Sequence, residues 1–406
     1  MHFITNKINQ ASSYLLPIAV FFILISSSVT NIFIVLTILI SIFFCIKNKN
    51  FHFLVQKKSH LLCIIIYFLL IFSTLYSIAD TNQIIEVLKK YIKFIYIPIL
   101  FYYIKIFDNR NLIIKSFIIG CTIILCLSYL KFFDIFDFEL FYNFLEKIHL
   151  ADVKEKIIVN NTAIFQHYII QGIVLSFYSF LCLYLGVKEK KYTYCALSIF
   201  AFINVLFLND SRASYILIIS LLLLSIFFII KNVKIIISFL LILAILMFSQ
   251  FSENFESRFK ILSTDINYIA KNNYDTSLGL RYLWAKVGFE NLREKPIFGF
   301  GAGSFKKTAE NYYVKYNISP HEKYVTNNPH NEFISISTQL GTFGLLIFLT
   351  FFSYLFLESK KNVFNIGIVV TIFISSIFNS AFYDNMLGLF LIIILCLVQK
   401  TKFETQ

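Results

Sequence analysis

The sequence predicts an all-α, polytopic membrane protein with about twelve transmembrane helices and one large helical loop between the ninth and tenth. Three observations carry this. Hydrophobic residues make up 58% of the 406-residue chain and charged residues only 15%, against about 25% charged in a soluble domain. Apolar runs of roughly 18 residues or more, each long enough to cross a bilayer, recur along the whole chain. Short lysine-bearing loops alternate with loops that are nearly empty of charge, acidic or long.

The first span runs from about Ser12 to Val29, behind Lys7. No convincing small-x-small cleavage site follows, so it reads as an uncleaved span and not as a signal peptide. Four more spans lie near 31–46, 60–78, 90–107 and 111–131. An outer loop from Phe132 to Asn161 carries Asp134, Asp137 and Glu139. Spans six to nine lie near 162–186, 193–208, 213–230 and 232–250. The largest polar region, 251–330, comes next, and the last spans lie near 331–357, 362–379 and 382–398. Residues 1–406 thus form a single transmembrane domain with the loop 251–330 inserted in it.

Lysine placement orients these spans. With both ends inside, the inner loops hold Lys47, Lys49, Lys57 and Lys58; Lys105 and Arg110; Lys188, Lys190 and Lys191; Lys231 and Lys234; Lys360 and Lys361; and the tail adds Lys400 and Lys402. Lys89, Lys90 and Lys93 break the pattern at an outer helix start. They are expected to contact anionic lipid or phosphate, or to act as interfacial anchors. The net charge of +13 is spread over short loops and not gathered on one face, which argues against a nucleic-acid partner. The seven cysteines all fall in or beside apolar segments, so neither a disulfide framework nor a cysteine metal site is expected. No His, Asp or Glu spacing suggests a metal.

The chemistry gathers on the outer face. In "NNPHNEFISISTQLG", Asn327 to Gly341, Pro329 turns Asn328 away from helix, so span ten is expected to begin at His330 or Asn331. A histidine in a first helical turn meets the positive end of the macrodipole, which favours neutral imidazole, the form a general base needs. Upstream, "SLGLRYLWAKVGFENLREKPIFGFGAGSF" opens as an amphipathic helix with Leu280, Leu283, the single tryptophan Trp284, and Val287 at helical spacing. Such a helix is suited to lie in the membrane interface. It ends at Pro296 in a turn with Gly299, Gly301 and Gly303. That turn is neither a Walker nor a Rossmann fingerprint; it serves as a chain reversal, or its amides cradle a phosphate. Arg281 on the helix and Arg212 in "NDSRASY" bring guanidinium groups suited to bidentate phosphate binding. His167, in "AIFQHYIIQG", is expected in the outer half of span six, facing the protein interior. His2, His52 and His60 fall on the inner side, and His149 and His321 lie in outer loops.

The joined pattern of "NDSR" before a span, "R..LW" followed by "P..GFGAGSF", and "NPHNEF....Q.G..GL" resembles the O-antigen ligase and polymerase superfamily. The resemblance runs from Asn209 to Leu346. It implies a multispanning, inverting glycosyltransferase of the bacterial inner membrane that works on the periplasmic side without nucleotide sugar, metal or other cofactor. A ligase of this kind moves O-antigen from undecaprenyl pyrophosphate to a sugar of the lipid A core. The family arginines that bind pyrophosphate match Arg212 and Arg281, and the family histidine proposed to deprotonate the acceptor matches His330. Where members often have Glu before the following glycine, this chain has Gln339-Leu340-Gly341, so no catalytic role is carried over there. Gly301, Gly303, Asn331, His167 and Lys93 stand as further substrate-contact positions. Length and the single large late loop favour a ligase over a polymerase with a lipid-linked glycan as acceptor. A protein O-glycosylating transferase lacks support for want of a large C-terminal extension. A transporter is disfavoured because few charges lie mid-span and no repeat is visible.

Overall fold

A computed structural model describes residues 10–138, 162–228, 263–318 and 324–398. The ninth span, His2, His149, His321, Lys400, Lys402 and most of the 132–161 loop lie outside the described residues. Among the described residues every regular element is helical. The order is α1 (Leu15–Phe21), α2 (Ser27–Lys47), α3 (Lys58–Ser73), α4 (Thr81–Tyr91), α5 (Lys93–Phe107), α6 (Arg110–Phe132), α7 (Tyr168–Glu189), α8 (Tyr192–Ile203), α9 (Arg212–Phe228), α10 (Ser277–Glu294), α11 (Phe305–Lys315), α12 (Glu332–Ser359), α13 (Val363–Phe378) and α14 (Asn385–Cys396). Among the described residues five helical segments are long and apolar enough to cross a membrane: α2, α3 with its 3-10 extension to Tyr76, α6, α7 and α12.

Boundaries in the first five spans differ from the sequence reading at two places. The first span ends at Phe21 and the second begins at Ser27, not near 31. Ser26 caps α2 by accepting from the Val29 amide at 3.4 Å. Small hydroxyl residues in an apolar run hide such a break from hydropathy. The fourth span is preceded by a separate amphipathic helix, α4, that turns into α5 at Ile92.

The last helix, α14, is buried at every residue from Met386 to Cys396. A helix that is apolar all round is enclosed by protein or lipid; here α5, α7 and α13 pack against it. At about 18 Å it is shorter than the hydrocarbon core of about 30 Å.

In contrast, α12 has 28 residues, about 42 Å of helix. It breaks at Gly341, where φ is 65° and ψ −161°. The turn after α10 docks into this break. Thr342 N donates to Pro296 O at 2.7 Å, Phe343 N to Ile297 O at 3.2 Å, and Phe300 N to Thr338 O at 2.9 Å. A Cβ on Gly341 would lie 2.3 Å from Ile297 O, and one on Gly299 2.5 Å from Thr338 O. The two glycines therefore let two backbones touch.

Above this junction α10 and α11 form a second core of Tyr274, Leu283, Trp284, Val287, Phe305, Ala309, Tyr313 and Tyr324. Trp284 Nε1 and the Tyr313 hydroxyl both donate to Tyr324 O, at 3.0 and 2.8 Å. The apolar face of α10 thus packs on protein and not in the membrane interface, because α11 and the 324–325 segment supply a partner that the periodicity alone does not reveal. Gly341→Ala is expected to lower the melting temperature of the detergent-solubilised protein, since a glycine-only conformation costs on the order of 1–3 kcal/mol in another residue. An unchanged melting temperature would show that the turn does not clamp α12.

Candidate functional site

The "NDSR" motif begins where a π-helical stretch, Asn204–Leu208, ends. Asn209 is buried. Its Oδ1 accepts from Ser211 N at 2.8 Å and its Nδ2 donates to Tyr168 O at 2.9 Å. This one side chain ties the start of α9 to the start of α7. Arg212 opens α9 and is exposed, with Nη1 3.9 Å from the carboxylate of buried Asp265. Gly172 makes the approach possible, since a Cβ there would meet Ser214 Oγ at 2.4 Å.

His167 is exposed and caps α7, its Nδ1 accepting from Ile169 N at 3.4 Å. The helix of the expected sixth span therefore starts after it, at Tyr168, and His167 precedes that helix. Its ring rests on Tyr168 with centroids 4.3 Å apart.

Arg281 stands in the first turns of α10, which Thr276 caps by accepting from Gly279 N at 3.1 Å. It is half-buried. Burial lowers its pKa from the ordinary arginine value; Tyr168 acts in the opposite sense and Arg212 in the same sense. A guanidinium stays charged under such a shift. Arg281, Arg212 and Tyr168 thus share one electrostatic neighbourhood.

His330 closes it. The ring stacks on Trp284, centroids 5.3 Å apart at 28°. Burial pushes its imidazole down to about 4, with Arg281 adding to the effect, Asp384 opposing it and His167 adding again. The residue sits one position before the cap, outside the first helical turn, with φ at 50°. The lowered pKa favours neutral imidazole, with burial as its first cause and not the helix terminus invoked from the sequence. The left-handed backbone costs a residue other than glycine on the order of 1–3 kcal/mol, and the Asn328 side chain helps to hold it by accepting from His330 N at 2.9 Å.

The other expected contacts have structural employment. Asn331 caps α12, its Oδ1 accepting from Ile334 N at 3.0 Å while Nδ2 donates to Ile377 O at 2.8 Å. The amides of Gly301 and Gly303 donate to Gln339 O and Gln339 Oε1, at 3.0 and 2.9 Å. The turn is a chain reversal, and these two amides are not free to cradle phosphate. Gln339 locks that turn through these two bonds. Lys93 is only 4% exposed; its Nζ donates to Phe382 O at 2.9 Å and to Asp384 O. It contacts protein and not lipid, because α4 and α5 turn its side chain inward against the 379–384 segment.

Glu332 was not singled out from sequence. It is fully buried, accepts from Phe382 N at 2.8 Å and from the Tyr91 hydroxyl. An acid at the head of an apolar helix is itself a signal, but its partners lie far away in the chain. Among the described residues no group of three or more His, Cys, Asp or Glu side chains is placed to hold a metal ion.

Residues 197–349 match the family model described as O-antigen ligase. No curated protein matches the chain. The His330 ring resonances, followed by NMR, are expected to titrate near pH 4. Removing the covering indole in Trp284→Ala hydrates the ring and raises the midpoint toward the ordinary histidine value of about 6.5; a midpoint unmoved by that change would discount burial as the cause.

Proposed function

We propose, from the match of residues 197–349 to the O-antigen ligase family model, that the chain belongs to the O-antigen ligase and polymerase superfamily and acts as an O-antigen ligase. In this reading it is a twelve-span protein of the bacterial inner membrane, its site facing the periplasm. It transfers O-antigen from undecaprenyl pyrophosphate to the lipid A core with inversion and without metal or cofactor. Membrane lipids surround it, and no nucleic acid is involved.

One observation carries the proposal: the half-buried imidazole of His330, stacked on Trp284, feels the charge of Arg281, which in turn feels that of Arg212. His330 takes the proton of the acceptor hydroxyl. The freed oxygen attacks the anomeric carbon of the donor from the face opposite the pyrophosphate. The anomeric C–O bond breaks, its electron pair leaves on the lipid pyrophosphate, and the configuration inverts. Arg281 and Arg212 offset the charge that develops on the leaving group. Donors fixed where charge develops are worth more than the same groups in water, and partial burial of Arg281 strengthens that effect. Asp265 holds Arg212 in place without neutralising Arg281.

The surface glycan of a strain lacking the protein tests the function. A lipid A core bare of O-chain, with polymer retained on the carrier lipid, is the expected result. A core capped by one repeat unit would make the protein a polymerase.

Variants test the roles. His330→Gln keeps a hydrogen-bonding side chain but cannot take the proton, so turnover should fall about 10²–10⁴-fold with donor binding intact. A largely active variant would reduce His330 to an acceptor-positioning role. Arg212→Lys and Arg281→Lys keep charge but lose the planar fork; transfer by purified protein is expected to fall sharply at normal membrane abundance. Near-normal rates in both would replace bidentate binding with plain electrostatics.

A further inference from the structure

We propose that Glu332 and Lys93 are positioning residues for His330: a buried acid and a buried amine that bond the N–H and the C=O of Phe382 and thereby fix the backbone on which the imidazole stands. The proposal rests on the base assignment above.

His330 adopts a backbone conformation that its own side chain disfavours, so the surroundings must impose it. The flanking bonds show how. On one side, His330 N donates to Asn328 Oδ1. On the other, Asn331 N donates to Ser380 Oγ at 3.2 Å and the Asn331 side chain to Ile377 O. The histidine turn is thus held against the 377–384 segment, and its position is only as definite as that segment's.

Phe382 is the centre of the segment. Its N–H donates to Glu332 and its C=O accepts from Lys93. Glu332 is 0% exposed and Lys93 4%. Tyr91 steadies the carboxylate by donating to Oε1 while sharing a 2.9 Å bond with Ser335 Oγ. Lys93 also takes the backbone of Asp384, the acid that opposes Arg281 and His167 at the imidazole. Gly388 reserves the space, since a Cβ there would lie 2.7 Å from the Lys93 ammonium. Burying two charges is costly, and apolar side chains would fill the same volume more cheaply. What the polar pair adds is direction, because the carboxyl group of Glu332 accepts from the Phe382 N–H while the amine of Lys93 donates to the Phe382 C=O.

The test replaces both charges by apolar groups of similar volume, Lys93→Met with Glu332→Leu, a change that folded proteins often tolerate. Abundance and melting temperature follow the fold. We expect a loss of about 10²-fold in kcat, the scale of a 1 Å misplacement, with donor KM unchanged because the arginines are untouched. The acid limb of kcat/KM, and the ring titration of His330 by NMR, should move up from about pH 4 toward about 6.5 as the imidazole leaves its place beside Trp284 and Arg281, with Asp384 and His167 displaced relative to it. Loss of a nearby carboxylate charge alone would move both downward, and that outcome, or a folded variant with wild-type kcat and titration, overturns the proposal. If the double variant does not accumulate, Glu332→Gln carries the same readouts, with a smaller loss expected because its carbonyl still accepts from Phe382. The His330→Gln measurement runs alongside: if His330 is not the base, kcat is uninformative, yet the NMR titration still decides whether Glu332 and Lys93 position it.

Discussion

The contact between two backbones at Gly299 and Gly341 is the constraint on which the rest of the structure depends. Neither position has room for a side chain. Because the Pro296–Phe300 turn bonds directly into the interrupted helix Glu332–Ser359, the preceding helix cannot slide along it. That fixes Arg281 and Trp284, on Ser277–Glu294, relative to His330 at the head of the longer helix. The glycine-rich turn therefore acts at a distance: its contribution to the site is a register between two helices and not a ligand.

The site itself is a balance of partial burials. Trp284 covers one face of His330, and burial lowers the pKa of the ring. Arg212, by contrast, is exposed and paired to Asp265. A deeply buried pair of arginines would incur a large desolvation cost with no anion present. One half-buried and one exposed guanidinium share that cost and still present positive charge to one space.

Much of this was legible in the sequence, and what was not has physical reasons. The apolar runs announce helices because a bilayer demands internal hydrogen bonding over that length. Arg212, Arg281 and His330 were legible as a group because each sits beside local signals: "NDSR", "RYLW" and a proline turn. The inward course of Lys93 was not, because its partner Asp384 lies 291 residues away and a lysine at a helix start ordinarily reaches for water. From the sequence, neutral imidazole at His330 was expected from a helix terminus, whereas the structure lowers its pKa by burial, since the covering Trp284 belongs to another helix. Asn331 was read as a substrate contact although its residue type equally announced the cap it provides.

The enclosure of Asn385–Cys396 has a consequence for assembly. This helix offers lipid no face, and its flanking segment carries Phe382 and Asp384 into the site. Its residues emerge from the ribosome after those that surround it. The chamber for it must therefore stand partly formed, or be filled by lipid that is later expelled, before it arrives. Inter-helix packing and the lysines that hold the backbone at either end, Lys93 near its start and Lys57 at Val398, must seat it. Seating of the backbone around His330 is thereby coupled to the arrival of this helix, and a protein still lacking it holds Arg212 and Arg281 without the finished environment of His330.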